Sequence, residues 1–303
     1  MRRHLPIALL VLGVFSCAAP SPSGKGKTYR VYYLGGQSNM EGFGYTKDLP
    51  EEFRGPVPGV YIFHGNQALD GKPVDGRGLW APLQPGHGVG FRSDGRVNST
   101  TERFGCELSL GRRLHELEPD AGVALIKYSR EGTSIDIAAA GTWGCWDPDF
   151  VGVNQYDHFL ATIRNAFDAR DIDGDGEPDT LIPAGIVWMQ GESDAARGGE
   201  DCARRYEANL KRLMDLIRAA LRVDDLPVVI GRISDSRNGG KPMWSQGPLV
   251  RAAQAAFCEK DPAAALVTST DGYKYSDPWH YDSAGYLDLG KEFAEALVKL
   301  HKR

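Results

Sequence analysis

The stretch Val31-Tyr32-Tyr33-Leu34-Gly35-Gly36-Gln37-Ser38-Asn39-Met40 decides how the rest of the chain is read. Its apolar run has the composition of a buried strand, and the run stops at a pair of glycines. A serine follows almost at once. A strand that ends in a tight glycine turn presents the next side chains at the carboxyl edge of a sheet, where open α/β folds place their ligands. Ser38 is therefore the candidate nucleophile; a small polar turn without chemistry is the competing reading. A serine nucleophile works only with a base, a group that orients the base and donors for an oxyanion.

Outward from this stretch, strands alternate with helices. Apolar runs predict strands over Tyr29–Leu34, Ala121–Tyr128, Ile182–Met189, Leu226–Ile233 and Ala264–Ser269, with a short extra strand at Val60–Phe63. Helical spacing predicts helices over Cys106–Leu117, Gln155–Arg170, Cys202–Val223, Pro248–Cys258 and Asp282–His301. This alternation predicts an α/β fold with a five-stranded parallel sheet covered on both faces. Residues 29–303 read as one domain without an internal repeat. The Gly- and Pro-rich stretch from Glu41 to Asn98 reads as substrate-binding loops anchored on the sheet.

The chain has 303 residues and a net charge of −5, which argues against a nucleic-acid partner. Arg2, Arg3 and His4 precede a short apolar run, Leu5 to Phe15, too short to span a bilayer. With Ser16-Cys17 it resembles a bacterial lipoprotein signal. Residues 1–17 are thus expected to direct export, with lipid attached at Cys17 as the only membrane contact. Simple secretion is the alternative. Residues 18–28 read as a flexible tether. The expected location is the cell envelope or periplasm. Cys106, Cys145, Cys202 and Cys258 permit either two disulfides or free buried thiols.

The strand ends carry the reactive side chains. Ile182–Met189 leads into Gln190-Gly191-Glu192, and Asp277-Pro278-Trp279-His280 follows the last strand. An Asp three residues before a His can accept from one ring nitrogen and leave the other free to take a proton from Ser38. Glu192 and Asp194 read as capping or loop-bracing groups rather than as a glycosidase acid pair. Trp80, Trp143, Trp146 and Trp279 are candidates for stacking on sugar rings, or for core positions.

Four blocks occur in order: Gly36-Gln37-Ser38-Asn39-Met40, Phe104-Gly105-Cys106-Glu107, Trp188-Met189-Gln190-Gly191-Glu192-Ser193-Asp194 and Asp277-Pro278-Trp279-His280. Together they resemble the SGNH/GDSL hydrolase superfamily, in its sialate O-acetylesterase-like branch, also grouped as carbohydrate esterase family 6. The resemblance spans about Val31 to Leu300. It implies a flavodoxin-like three-layer α/β/α sandwich and a serine esterase that removes O-acetyl groups from sugars such as acetylated xylan or sialic acid. It implies Ser38 as nucleophile, His280 as base and Asp277 as the residue orienting it. Backbone N–H groups of Ser38 and Gly105 and the amide of Gln190 would form the oxyanion hole. Gln37, Asn39 and Glu192 would support substrate and loops. No cofactor is implied for catalysis. Hydrolysis of other acyl esters, or glycan binding on an inactive scaffold, are the alternatives. Cys106 stands where this branch is expected to have proline, and Ser129–Thr133 lacks a second glycine beside Gly132.

A separate loop, Asp171-Ile172-Asp173-Gly174-Asp175-Gly176-Glu177-Pro178-Asp179, spaces its carboxylates like the start of a calcium loop. Ile182 at the twelfth position cannot ligate, which excludes a complete EF-hand. The expectation is a structural calcium held by Asp171, Asp173, Asp175, Glu177 and Asp179, bracing the strand that leads to Gln190.

Overall fold

The computed structural model describes residues 26–67 and 72–302. The expected export segment, Cys17 and most of the expected tether lie outside the described residues. The strands of the main sheet are β1 (Thr28–Gly36), β2 (Val60–His64), β3 (Trp80–Pro82), β4 (Gly122–Ser129), β5 (Thr180–Met189), β6 (Val228–Gly231) and β7 (Ala264–Val267). Their order is β7-β6-β5-β1-β4-β2-β3. All pairs are parallel except β2 with β3.

The sheet thus has seven strands rather than five. Val60–His64 joins it in parallel beside β4, and Trp80–Pro82 closes the edge in the opposite direction. Three residues are too few to show an alternating pattern, so β3 has no signature within its Gly- and Pro-rich surroundings.

The stretch that opened the reading is the central strand. Tyr32, Tyr33 and Leu34 are fully buried. Successive side chains of a strand point to opposite faces. Tyr33 meets Phe159 of α3 (Gln155–Asp168), while Tyr32 meets His301 of α7 (Ser283–His301), so helices cover both faces. The remaining helices of the layers are α2 (Glu107–Leu117), which packs on α7, and α5 (Gly199–Leu221), which packs on α6 (Gly247–Lys260). Asp282 caps α7 by accepting from the N–H of Gly285.

Register is what builds the site. Gly36 lies opposite Met189 on one side and Ser129 on the other, so β5, β1 and β4 end level with one another. Gly36 has φ +141°, and a Cβ there would sit 2.0 Å from the carbonyl oxygen of Met189. Only glycine fits so close an approach. Cys106, Cys145, Cys202 and Cys258 are free thiols, the first three of them buried.

Candidate active site

Ser38 opens a one-turn helix, Ser38–Glu41, immediately beyond β1. The turn is held from behind. The N–H of Gln37 donates to the carbonyl of Met189 at 2.9 Å. Gln37 Oε1 accepts from the N–H groups of Gly191 and Ser193, at 3.4 and 3.3 Å. These bonds lock the end of β1 to the end of β5 and leave Ser38 6% exposed.

The second half of the site hangs over this edge from the loop before α7. His280 Nδ1 lies 2.7 Å from Asp277 Oδ2. Asp277 Oδ1 accepts from the N–H groups of Trp279 and His280, both at 2.8 Å. Partial burial opposes charge on Asp277, but the His280 ring and these two N–H groups outweigh it and hold the carboxyl below its ordinary range. Asn39 joins the halves. Its Nδ2 donates to the carbonyl of Trp279 at 3.2 Å and to Glu192 Oε1 at 2.9 Å, and its Oδ1 accepts from the Tyr286 hydroxyl at 2.9 Å. The structure therefore brings Ser38 and His280 to the wall of one cavity of about 280 Å³, shared with Gly132, Glu192, Arg197 and Trp143. Among the described residues, no hydrogen bond joins the Ser38 hydroxyl directly to His280.

Two of the expected oxyanion donors are engaged elsewhere. The N–H of Gly105 donates to Glu107 Oε1 at 2.9 Å, in the interior. The other oxygen of Glu107 takes the ammonium of the fully buried Lys127 at 2.7 Å, and Lys127 also donates to the carbonyl of Glu41. The Phe104–Glu107 block thus supports the underside of the nucleophile turn. Gln190 is fully buried, and its amide donates to the carbonyl of Thr133 at 3.0 Å and to Asp194 Oδ2 at 2.6 Å. Gln190 is not among the residues that line the cavity.

The glycine that lines the cavity instead is Gly132. It follows the end of β4 just as Ser38 follows β1, and has φ +63°. Among the described residues, neither the Gly132 N–H nor that of Ser38 donates to a protein acceptor, and both residues line the cavity. The signal was present in the sequence: a turn with glycine directly after a predicted strand.

Three further carboxyls are buried around the site and raised by that burial. Asp194 accepts from the N–H groups of Ile135 and Asp136, at 3.1 and 3.0 Å, and so braces the loop after Gly132. Burial pushes its carboxyl up to about 7. Glu41 accepts from the N–H of Glu131 at 2.8 Å. Burial, together with the charge of Glu131, pushes it up to about 7 as well. Glu192 lies on α4 (Glu192–Ala196), and burial also raises its carboxyl. Its Oε1 takes Asn39, whereas Oε2 has no partner among the described residues.

Trp143 and Trp279 line the cavity, and Trp244 joins them. Trp146 and Trp80 do not. Trp146 is fully buried and donates to Thr133, while Trp80 packs on Phe63 and donates to the carbonyl of Ala166.

In the acidic loop, carboxylate oxygens of Asp171, Asp173 and Asp179 lie within 4.8 Å of one another. Asp175 and Glu177 stand outside this set. Asp175 instead accepts from the Glu177 N–H and pairs with Lys27 at 3.0 Å. The Lys27 ammonium also bonds Asp173. An all-oxygen set suits a hard cation such as calcium, and Lys27 supplies positive charge at the same place.

The comparisons agree with this architecture. A protein from Arabidopsis thaliana superposes with a TM-score of 0.60 at 19% identity, over 90% of this chain and 98% of its own. A carbohydrate acetylesterase from Xanthomonas citri gives 0.61 at 18% identity, over 89% of this chain and 56% of its own. NanS gives 0.57 at 15% identity, over 92% and 99%. At these identities the likeness is one of fold. No curated protein sequence matches the chain significantly. The family model for carbohydrate esterases described as sialic acid-specific acetylesterases matches residues 28–299. The chain is a carboxylic ester hydrolase, and it belongs to this sialic acid-specific acetylesterase family of carbohydrate esterases.

Proposed function

We propose that Ser38 is the nucleophile of an esterase that removes O-acetyl groups from sugars through an acetyl-serine intermediate. The observation that carries this reading is the meeting of Ser38, Gly132 and the His280 ring, paired with Asp277, at one cavity. Ser38 Oγ attacks the acetyl carbonyl while His280 Nε2 takes its proton. The N–H groups of Ser38 and Gly132 receive the oxyanion, a task that demands donors not already bonded. The C–O bond to the sugar breaks, and His280 returns the proton to the leaving alkoxide. Water then repeats the sequence on the acetyl-enzyme, releasing acetate. Asp277 fixes the ring tautomer and stabilises the imidazolium. The tryptophan walls suit the apolar faces of sugar rings, and the small cavity suits a short acyl group.

The test compares acetate release from acetylated xylan, O-acetyl sialic acid and aryl acetates of increasing acyl length, for wild type and Ser38→Ala. Serine-dependent turnover that favours acetate supports the reading. Turnover that rises with acyl length would overturn it in favour of a general acyl esterase, and glycan binding without turnover would favour an inactive scaffold. The apolar leader and Cys17 support export with a lipid anchor, which mass spectrometry of the mature N-terminus checks. For the acidic loop we retain calcium as a structural ligand of Asp171, Asp173 and Asp179, displacing Lys27. Added calcium should raise the melting temperature and chelator should reverse it, with kcat unchanged; identical melting curves would exclude it.

A further inference from the structure

Phe43 lies flat on His280: the ring centroids are 3.6 Å apart and the planes are 4° from parallel. The segment that carries it is Gly42-Phe43-Gly44, and both glycines are required by close packing. Gly42 has φ +97°, and a Cβ there would sit 2.4 Å from the Cα of Gly105. A Cβ at Gly44 would sit 2.8 Å from the Phe104 ring. Gly44 also pairs with Phe104 in a short antiparallel ladder, and the Arg103 guanidinium donates to the Phe43 carbonyl. The Arg103–Gly105 segment thus fixes where the Phe43 ring can stand.

We propose that Phe43 is a positioning residue for the base: it fixes the plane of His280 and favours its imidazolium form over the neutral ring. The inference rests on the reading of His280 as the base. Two neutral aromatic rings prefer offset or edge-on contacts to a directly overlapped sandwich, because their negative faces repel. A cation over a ring face is attracted by the same charge distribution. The overlapped stack is therefore matched to the protonated imidazole, the species formed when Ser38 gives up its proton. The Phe104–Glu107 block gains a role here that does not involve the oxyanion.

Several charged groups also lie around this ring. Asp277 holds Nδ1, Glu192, Glu131 and Arg197 line the same cavity, and Arg103 donates to the Phe43 carbonyl. All of them persist in variants at position 43, so a change in pH behaviour there reports the stack itself.

The experiment has two readouts. The first is the pH profile of kcat on an aryl acetate for Phe43→Leu and Phe43→Tyr. Loss of a cation–π contact should lower kcat about three- to thirtyfold in the leucine variant, with KM little changed. Because protonation becomes harder, the acid limb of the profile should move to lower pH, by about half a unit to one unit. Tyrosine, which keeps the ring face, should restore both. The second readout needs no turnover and no change of shape: mono- and trifluorinated phenylalanine at position 43, with the His280 ring followed by NMR and assigned by its loss in His280→Gln. The titration midpoint should fall stepwise as fluorine withdraws charge from the ring face. A leucine variant with wild-type kcat and acid limb, or a midpoint indifferent to fluorination, would overturn the proposal. Failure of the esterase reading would instead appear as absent turnover in wild type while the midpoint still moves.

Discussion

The nucleophile and the base are held in opposite ways. Ser38 stands beyond the end of a strand paired on both sides from Tyr29 to Gly36, with Gln37, Asn39 and Glu41 buried around it. His280 stands on a loop whose Asp277 is exposed and whose Trp279 keeps 49% of its surface in solvent. The sheet enforces the first position by backbone hydrogen bonds that many residues share. The second rests on a short turn, in which the Ser276 N–H donates to the His280 carbonyl, and on a few side chains: Asp277, Asn39, Ser236 and Phe43. The contrast teaches where substitution should alter chemistry alone and where it should alter geometry.

The most severe break is Ser38→Ala. It removes the nucleophile, and roughly six orders of magnitude in kcat are at stake if the covalent route carries all turnover. Among the described residues the oxygen has no protein hydrogen bond, so the melting temperature should stay close to wild type in a thermal scan. A variant that loses stability as well would show that the hydroxyl also supports the buried turn.

Next in size is Asn39→Ala, which tests the link between the two regions. It leaves Glu192 Oε1 and the Tyr286 hydroxyl without their partner in the interior, which should cost about 2–4 kcal/mol of stability by denaturant titration. Because the loop loses its tie at the Trp279 carbonyl, kcat should also fall, about ten- to a hundredfold. A stability loss with wild-type kcat would show that the loop positions itself without Asn39.

Asp277→Asn should have a smaller effect on rate than the loss of a buried triad carboxylate, about ten- to a hundredfold, because solvent screens an exposed group. A loss of about four orders of magnitude, measured at saturating substrate, would mean that substrate buries the loop and that the contrast holds only for the free enzyme.

The smallest effect tests the buried frame. The Asp194 carboxyl is raised to about 7 in the folded chain, above the ordinary carboxylate value near 4. Its contribution to stability is then fully present below about pH 4 and lost as pH rises towards about 7. Asp194→Asn cannot titrate, so its stability relative to wild type should rise across that window. The buried His64 and His87 rings, both pushed down by burial, give a slope of opposite sign but are common to both proteins. Parallel melting curves across the window would mean that Asp194 stays ionised, held by the N–H groups of Ile135 and Asp136.

How much was legible follows from the same contrast. The apolar runs and glycine stops were readable because they depend on period and on local backbone freedom. They gave the strands from Tyr29, Ala121 and Ile182 and the helices between them with small shifts at the ends. β3 was hidden because three residues carry no period. The candidate site was legible where it is local in sequence, as at Gly36–Asn39 and at Asp277–His280. It was misread where the role depends on partners: Gly105 and Gln190 are donors by type, but Glu107, Thr133 and Asp194 claim them. Gly132 was marked by its turn after a predicted strand, whereas nothing local to Phe43 announces its place on His280.

The sequence by itself determined that strands alternate with helices, that Ser38 follows a glycine turn at a strand end, and that Asp277 can reach His280, because each of these is set within a few residues of chain. Only the tertiary structure decided which donors remain free at the cavity and which ring lies on His280. Those outcomes are settled by competition among groups distant in sequence, and a hydrogen bond already made in the interior removes a donor that its residue type would promise.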